Sequence, residues 1–276
     1  MEKETYSFSR LKTFNDCKHA YYLSYVMGNE KRENVYSYLG TITHEVLEEL
    51  QQGKINNEIA LQKLLDQISI AEFMGYEFPS DKIREDYIKC VSHSVENYDI
   101  LDAEKFEIEK RIEFEINGNK IVGYIDLLLY HSDGTVTIID FKTSSKYSGK
   151  ELIKNSNQLI LYALGLEQEG LKIRGIAWYM LKYCEVQGKR KSKIIKRSEL
   201  DQNQKYSPCI ISYPYTQENK ERCIEWVTST INEIESMDVF DYWETRDFRG
   251  FNSFTCQWIC SVGLNCSEFK NYIKNR

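Results

Sequence analysis

Proline is scarce in this sequence, three residues in 276, and glycine, with 14, is not abundant either. Disordered chains and flexible linkers are rich in both, so a chain ordered nearly throughout is expected. Long apolar runs are missing as well. The longest, such as Leu159 to Leu166, falls far short of the roughly 20 residues that a membrane helix needs. The opening Met-Glu-Lys-Glu-Thr carries no secretory pattern. These absences predict a cytoplasmic protein with no membrane partner. Positive charge is in deficit too, with 36 Lys and Arg against 42 Asp and Glu, a net of −6. A phosphate-binding protein needs local positive charge, yet a centre built of carboxylates around a cation reverses the local sign, so the average excludes little. No Gly-x-x-x-x-Gly-Lys loop occurs, so any ATP-driven motor must be a separate partner.

What is present is enough apolar material, 42%, to bury the core of one domain over residues 1–276. Ser7 precedes a capped helix with apolar or aromatic positions at Leu11, Phe14, Tyr21, Tyr22 and Tyr25. A second helix is expected from Gly40 to Leu50, with Ile42, Val46, Leu47 and Leu50 at helical spacing and Gly53 beyond as a stop. Helical periodicity continues near 57 to 73 and 81 to 98, which predicts a helical insertion over about 54–104. From residue 105 the period becomes two: Phe106 and Ile108, then Ile112, Phe114 and Ile116, closed by the turn pair Asn117-Gly118. Strands are expected at about 120–130 and 135–143, a helix at 155–168, a strand at 175–181 and a long helix at 217–237. That order predicts an α/β fold, a mixed central sheet flanked by helices, with the core at about 105–182.

The informative segment is Gly123-Tyr124-Ile125-Asp126 followed by Ile138-Ile139-Asp140-Phe141-Lys142-Thr143. Strand side chains alternate, so Asp140 and Lys142 share one face while Phe141 packs on the other. With Asp133-Gly134 at the hairpin tip, Asp126 falls nearly opposite Asp140. Two carboxylates inside apolar strands repel, and a hard divalent cation, Mg²⁺ or Mn²⁺, answers that repulsion. Such a cation polarises a phosphate and acidifies a bound water, leaving Lys142 to position or deprotonate the nucleophile. An isolated Asp-x-Lys would be only a surface ion pair. Glu109, on an earlier strand, is either a further carboxylate or a solvent-facing strand residue. His44-Glu45 begins an H-E-x-x-E that lacks the second His of a zinc protease. The basic run from Lys182 to Arg197 is either a solvated loop or a DNA-contacting surface.

In order along the chain, His44 after Gly40, Asp126, Asp140, Lys142, and Gln158 with Tyr162 match the pattern helical His, G-x-x-D, I-x-D-x-K-T and Q-x-x-x-Y. The sequence thereby resembles the RecB-type branch of the PD-(D/E)xK nucleases, which implies a restriction-endonuclease-like core. The resemblance implies that His44, Asp126 and Asp140, with Phe141 between the motif positions, hold the metal. It implies that Lys142 serves the nucleophile and that Gln158 and Tyr162 contact DNA or brace the site. The expected function is hydrolysis of DNA phosphodiesters, as an exonuclease on ends or single strands, in recombination, repair, phage replication or CRISPR adaptation. A separate helicase or a recombination or adaptation protein is the implied partner. The alternative is a catalytically silent, DNA-end-binding iron-sulfur subunit.

Eight cysteines in a reducing compartment do not suggest a disulfide framework. Cys256, Cys260 and Cys266 cluster in the tail at about 251–270. Cys17, in Ser-Arg-Leu-x-x-Phe-x-x-Cys, resembles the N-terminal half of the split motif of AddB-type and CRISPR-adaptation exonucleases, where four Cys bind [4Fe-4S]. This chain departs in having C-x₃-C for C-x₂-C and Lys18 where that group has Pro. Zinc also accepts four thiolates, and the sequence leaves both open. Cys90, Cys184, Cys209 and Cys223 are scattered and expected to be buried.

Overall fold

Asn117 and Gly118, both at positive φ (48° and 77°), close the hairpin on which the sheet is built. The computed structural model describes residues 4–188, 191–201 and 203–275. The chain opens with strand β1 (Thr5–Ser7) and helix α1 (Phe8–Asp16), where the Ser7 hydroxyl accepts the Arg10 N–H at 3.2 Å. Helix α2 (Lys18–Tyr21) continues into a π-helical turn, Tyr22–Val26. Helices α3 (Val35–Gln51), α4 (Asn57–Phe73) and α5 (Asp81–Glu96) follow, capped by the side chains of Asn34, Asn56 and Ser80. Strands β2 (Lys105–Ile116), β3 (Asn119–Tyr130) and β4 (Thr135–Lys142) lead to α6 (Gly149–Gln168). Then come β5 (Lys172–Val186), β6 (Lys193–Lys196), β7 (Tyr206–Tyr213) and α7 (Gln217–Ser236). The tail holds α8 (Phe251–Phe254), a π-helical turn Thr255–Ile259 and α9 (Ser267–Lys274).

The seven strands form one mixed sheet. β3 pairs antiparallel with β2 along one edge, while its other edge is shared by β1, parallel, and β4, antiparallel. β5 is parallel to β4 and antiparallel to β6 and β7. Helices cover both faces, the α/β architecture expected. On one face α1, α6 and α7 bury Leu11, Phe14, Leu159, Ala163 and Val227 against Ile138, Trp178 and Met180. On the other, α3, α4 and α5 bury Leu39, Leu47, Leu64 and Val91 against Ile139, Phe141 and Tyr179. Each such side chain contributes about 1.5–3 kcal/mol of burial, so the central strands are fixed from both sides.

One irregularity positions the site. Phe106 and Ile108 of β2 pack on the α3 side, whereas Ile112, Phe114 and Ile116, of the same parity, pack on the α6 side. β3 switches likewise between Ile125 and Leu127. The register is the same on both sides of the switch, Ile108 with Leu127 and Lys110 with Ile125, so the pair bends together at Glu109 and Asp126. Glu109 takes the bend at φ 47°, a region that costs a non-glycine residue on the order of 1–3 kcal/mol.

Strands β1, β6 and β7 are additions to the sequence reading; β1 is three residues long and β6 four, too short for alternation to register. The helix expected from Asn155 begins at Gly149. In the basic run, Lys189 and Arg190 lie outside the described residues. Lys182 sits over the Tyr87 ring, Lys196 pairs with Asp86 at 2.5 Å, and Arg197 is buried with its Nε donating to Tyr183 O. Those three turn to the protein and do not form a DNA-facing surface.

Candidate active site

The β3 to β4 ladder runs from Tyr130 with Val136 to Leu127 with Ile139. One step further, Asp126 and Asp140 would face each other. β1 reaches β3 only at residues 120–122, so residues 123–126 lie in the fork between β1 and β4, where this edge of β3 has no ladder partner. Into that fork α3 brings His44 and α6 brings Gln158 and Tyr162.

Asp126 Oδ2 accepts the Phe141 N–H at 2.7 Å and lies 3.4 Å from His44 Nδ1. Asp140, 2% exposed, meets Lys142 Nζ at 2.6 Å. That contact is off the line of a good hydrogen bond, and Asp140 Oδ2 has no other partner. Phe141 buries its ring among the α3-side residues, and its backbone carbonyl accepts from the His44 imidazole. The His44 ring meets the Phe141 ring edge-on at 6.0 Å. Gln158 Nε2 donates to the Tyr162 hydroxyl at 3.5 Å. The Tyr162 ring lies flush on Gly123: a Cβ there would come within 2.5 Å of Tyr162 Cε1. The glycine of G-x-x-D is therefore required by the ring that crosses it.

Burial pushes Asp126 up to about 6, against the pull of Lys142 and of the Phe141 N–H. Burial likewise pushes Asp140 up to about 6, again against Lys142 and helped by Asp126. Burial alone would lower Lys142, but Asp140, Tyr147 and Asp126 together hold it above the ordinary lysine value. Burial and the Lys142 charge hold His44 down, which keeps the imidazole neutral. Ligand atoms of His44, Asp126 and Asp140 do not all lie within 4.8 Å of one another, so closing them on one ion takes a side-chain rotation.

Glu48 was not foreseen. It stands one helical turn after His44 on α3, and burial together with Glu109, Asp126 and Glu45 pushes it up to about 7. Its spacing of four from His44 was the available signal. Glu109, exposed, also acts on His44, Asp126 and Glu48, so the bend in β2 turns it toward the site.

Residues 5–267 match the sequence model of the PD-(D/E)XK nuclease superfamily. The chain belongs to that superfamily. Among curated proteins it is 27% identical over 187 residues to the uncharacterized protein RC0550 of Rickettsia conorii, covering 60% of this chain and 22% of that one. It is 27% identical over 171 residues to an ATP-dependent helicase/deoxyribonuclease subunit of Streptococcus agalactiae, 56% of this chain and 16% of the relative. The chain thus spans about a fifth or less of the length of these relatives. Among solved structures, SSO0001 aligns over 97% of this chain and 88% of its own at 13% identity and TM-score 0.40. A candidate exonuclease from Eubacterium rectale aligns over 90% and 86% at 13% identity and TM-score 0.47. At these scores the likeness is loose, and membership rests on the sequence model.

The cysteine-bearing tail packs back on the N-terminal segment, where the Arg32 N–H donates to Ser261 O at 2.9 Å. Cys17 stands between α1 and α2, Cys256 in the π-helical turn, Cys260 at its end and Cys266 at the cap of α9. All four are free thiols. Burial pushes Cys256 up to about 12 and Cys266 up to about 11, and nearby thiols add to it: Cys260, Cys17 and Cys266 act on Cys256, and Cys17 on Cys266. A Cβ at Gly263 would lie 1.9 Å from Cys256 O, so the turn closes only around glycine. No three of the four sulfurs come within 4.8 Å of one another. The trio that does, among the described residues, is His19, Cys266 and Glu268, with His19 Nε2 at 2.8 Å from Glu268. Cys90, Cys184, Cys209 and Cys223 are buried apart. No helix among the described residues is long and apolar enough to cross a membrane.

Proposed function

We propose that this chain is a Mg²⁺- or Mn²⁺-dependent deoxyribonuclease that hydrolyses phosphodiester bonds at DNA ends or in single strands. The observation that carries the reading is the buried Asp126 and Asp140, held with Lys142 and a neutral His44 in one fork of the sheet. The donor set suits a hard cation: two desolvated carboxylates and an imidazole, with the Lys142 ammonium as the ion-pair partner of Asp140 Oδ2. Bound there, such a cation would polarise the scissile phosphate and supply an acidified water. His44, Asp126, Asp140 and the Phe141 carbonyl would hold it. Lys142, a charged ammonium on Asp140, orients the attacking water and offsets charge building on the phosphate. The Phe141 N–H fixes Asp126, and Tyr162, seated on Gly123 and held by Gln158, keeps β3 and α6 at constant separation.

Cys17, Cys256, Cys260 and Cys266 are assigned to a [4Fe-4S] cluster that staples the two ends. What supports the reading is the split arrangement itself, in which Cys17 from the N-terminal end acts on Cys256, Cys260 and Cys266 of the tail. The helicase named in the Streptococcus relative makes a separate motor the natural partner.

Cleavage of end-labelled single- and double-stranded DNA by anaerobically purified protein, in Mg²⁺, Mn²⁺ or EDTA, tests the proposal beside Lys142→Ala. Metal-dependent cleavage lost in the variant is expected. Binding without cleavage would replace this reading with a silent DNA-end-binding subunit.

A further inference from the structure

We propose that a cleft beside the cysteine tail is the entry path for a single DNA strand and leads it to the carboxylate fork, an inference that rests on the nuclease reading above. The cleft, ≈ 540 Å³, lies between α1, the chain from Ala20 to Asn34, the start of α6 and the tail from Arg246 to Val262. Lys12, Lys31, Arg32, Lys154 and Arg246 line it against only Asp16 and Glu151, a surplus of three positive charges in a chain of net −6. Asp16 is shared by Lys12 and Lys154. Lys31, Arg32 and Arg246 form no ion pair with a carboxylate among the described residues; Lys31 lies over the Tyr25 ring at 4.0 Å and Arg246 faces the Cys256 and Cys260 thiols, so their charge is not cancelled by an acid.

Aromatic rings accompany the charge. Tyr25 lines the cleft beneath Lys31, 4.0 Å over its ring, and Phe251 offers the open ring, 74% exposed and stacked on Phe254 at 5.6 Å. Cations along a backbone path with rings for bases are how single strands are held without sequence preference.

Direction comes from the helices. Ser37 lines the cleft, and His44 is seven residues further along the same face of α3, about 10 Å by helical rise, or some three stacked nucleotides. Lys154 lines the cleft, and Gln158 and Tyr162 occupy the next two turns of α6. Two of the helices that wall the cleft, α3 and α6, are thus the two that bring His44, Gln158 and Tyr162 to the fork. Cys260 and Val262 line it too, so the stapled tail forms its outer wall.

The test is anisotropy of a labelled oligonucleotide, single-stranded or blunt duplex, titrated with the full-length protein in EDTA across a salt series. The Lys31→Glu, Arg32→Glu double variant should bind the single strand at least tenfold more weakly, with a salt slope shallower by about 1.4, since each lost phosphate contact removes about 0.7. Phe251→Ala, at an exposed position that folding does not need, should weaken binding on the order of tenfold with the slope unchanged. Duplex affinity should move less in both. Unchanged strand affinity in both variants, or equal losses on duplex, would overturn the proposal. Cleavage by the wild type in Mg²⁺ is scored separately. A wild type that cleaves beside variants that bind normally removes the cleft alone, whereas strand-binding loss in a protein that never cleaves removes the hydrolytic reading alone.

Discussion

Asp140→Asn isolates the electrostatic cost of the fork. Asp140 rises from 3.8 to about 6 in the folded protein, chiefly by burial, a difference of about 2 pH units. At 1.36 kcal/mol per unit this is about 3 kcal/mol. The sign follows from which state holds the proton more tightly. The folded state does, so the contribution favours folding below about pH 4 and is lost as pH rises through about 6. Asparagine carries no such proton. In EDTA, the stability of wild type relative to Asp140→Asn should fall by about 3 kcal/mol between pH 4 and pH 7. The attraction of Lys142 for the ionised carboxylate is already contained in the folded-state value of Asp140 and adds no separate slope. Urea unfolding of both proteins at several pH values measures the difference directly. Mg²⁺ at a hundredfold over its Kd should return about 2.7 kcal/mol to the wild type above pH 6 and nothing comparable to the variant. A flat difference, or a wild type gaining on the variant as pH rises, would show that Lys142 outweighs burial and that no cation is needed to stabilise the pair.

Lys142→Ala should lower cleavage by about 100-fold or more with DNA binding retained, checked by single-turnover kinetics. Gly123→Ala drives a methyl group into the Tyr162 ring and should cost about 1–3 kcal/mol, read as a drop in Tm, with Tyr162→Ala in the same chain relieving part of it. Glu48→Gln should raise the Mg²⁺ requirement of cleavage about tenfold, while Glu45→Gln, off that face and exposed, should leave it alone. Cys260→Ala should abolish iron, sulfide and visible absorbance in anaerobically purified protein and lower its Tm; a colourless wild type containing zinc would refute the cluster assignment.

The fold was legible wherever one period held for several residues. Caps at Ser7, the Asn117-Gly118 turn and the alternation of β2 and β4 follow from local chemistry, and Asp140 with Lys142 needed only strand parity. Contacts between elements distant in sequence were legible only through the family pattern. Nothing local says that Tyr162 rests on Gly123 or that Cys17 lies near a tail more than 200 residues away; the motif order implied only that Tyr162 braces the site or contacts DNA and that Cys17 joins the tail cysteines. In the basic run, counting charges does not give direction. Arg197 and Lys182 are consumed by the α5 side of the fold, whereas the cations of the positive cleft come from four separate places in the chain and leave no run to count.

The bend at Glu109 and Asp126 was invisible for another reason: it breaks parity without breaking register. A strand pair read by alternation places Asp126 on a face shared with every second residue, yet Ile125 and Leu127 go to opposite cores. That switch lets one carboxylate be reached from both sides of the sheet, by His44 from the α3 layer and by the Asp140 and Lys142 pair from the α6 layer. A flat sheet would separate those layers by about 10 Å on each side. The positive φ of Glu109 is the local cost of the convergence, and a glycine there should relieve it. Glu109→Gly should therefore raise stability or leave it unchanged while removing a carboxylate that faces Glu48. A loss above about 1 kcal/mol in urea unfolding would mean that the Glu109 side chain, and not the bend, holds β2 in place.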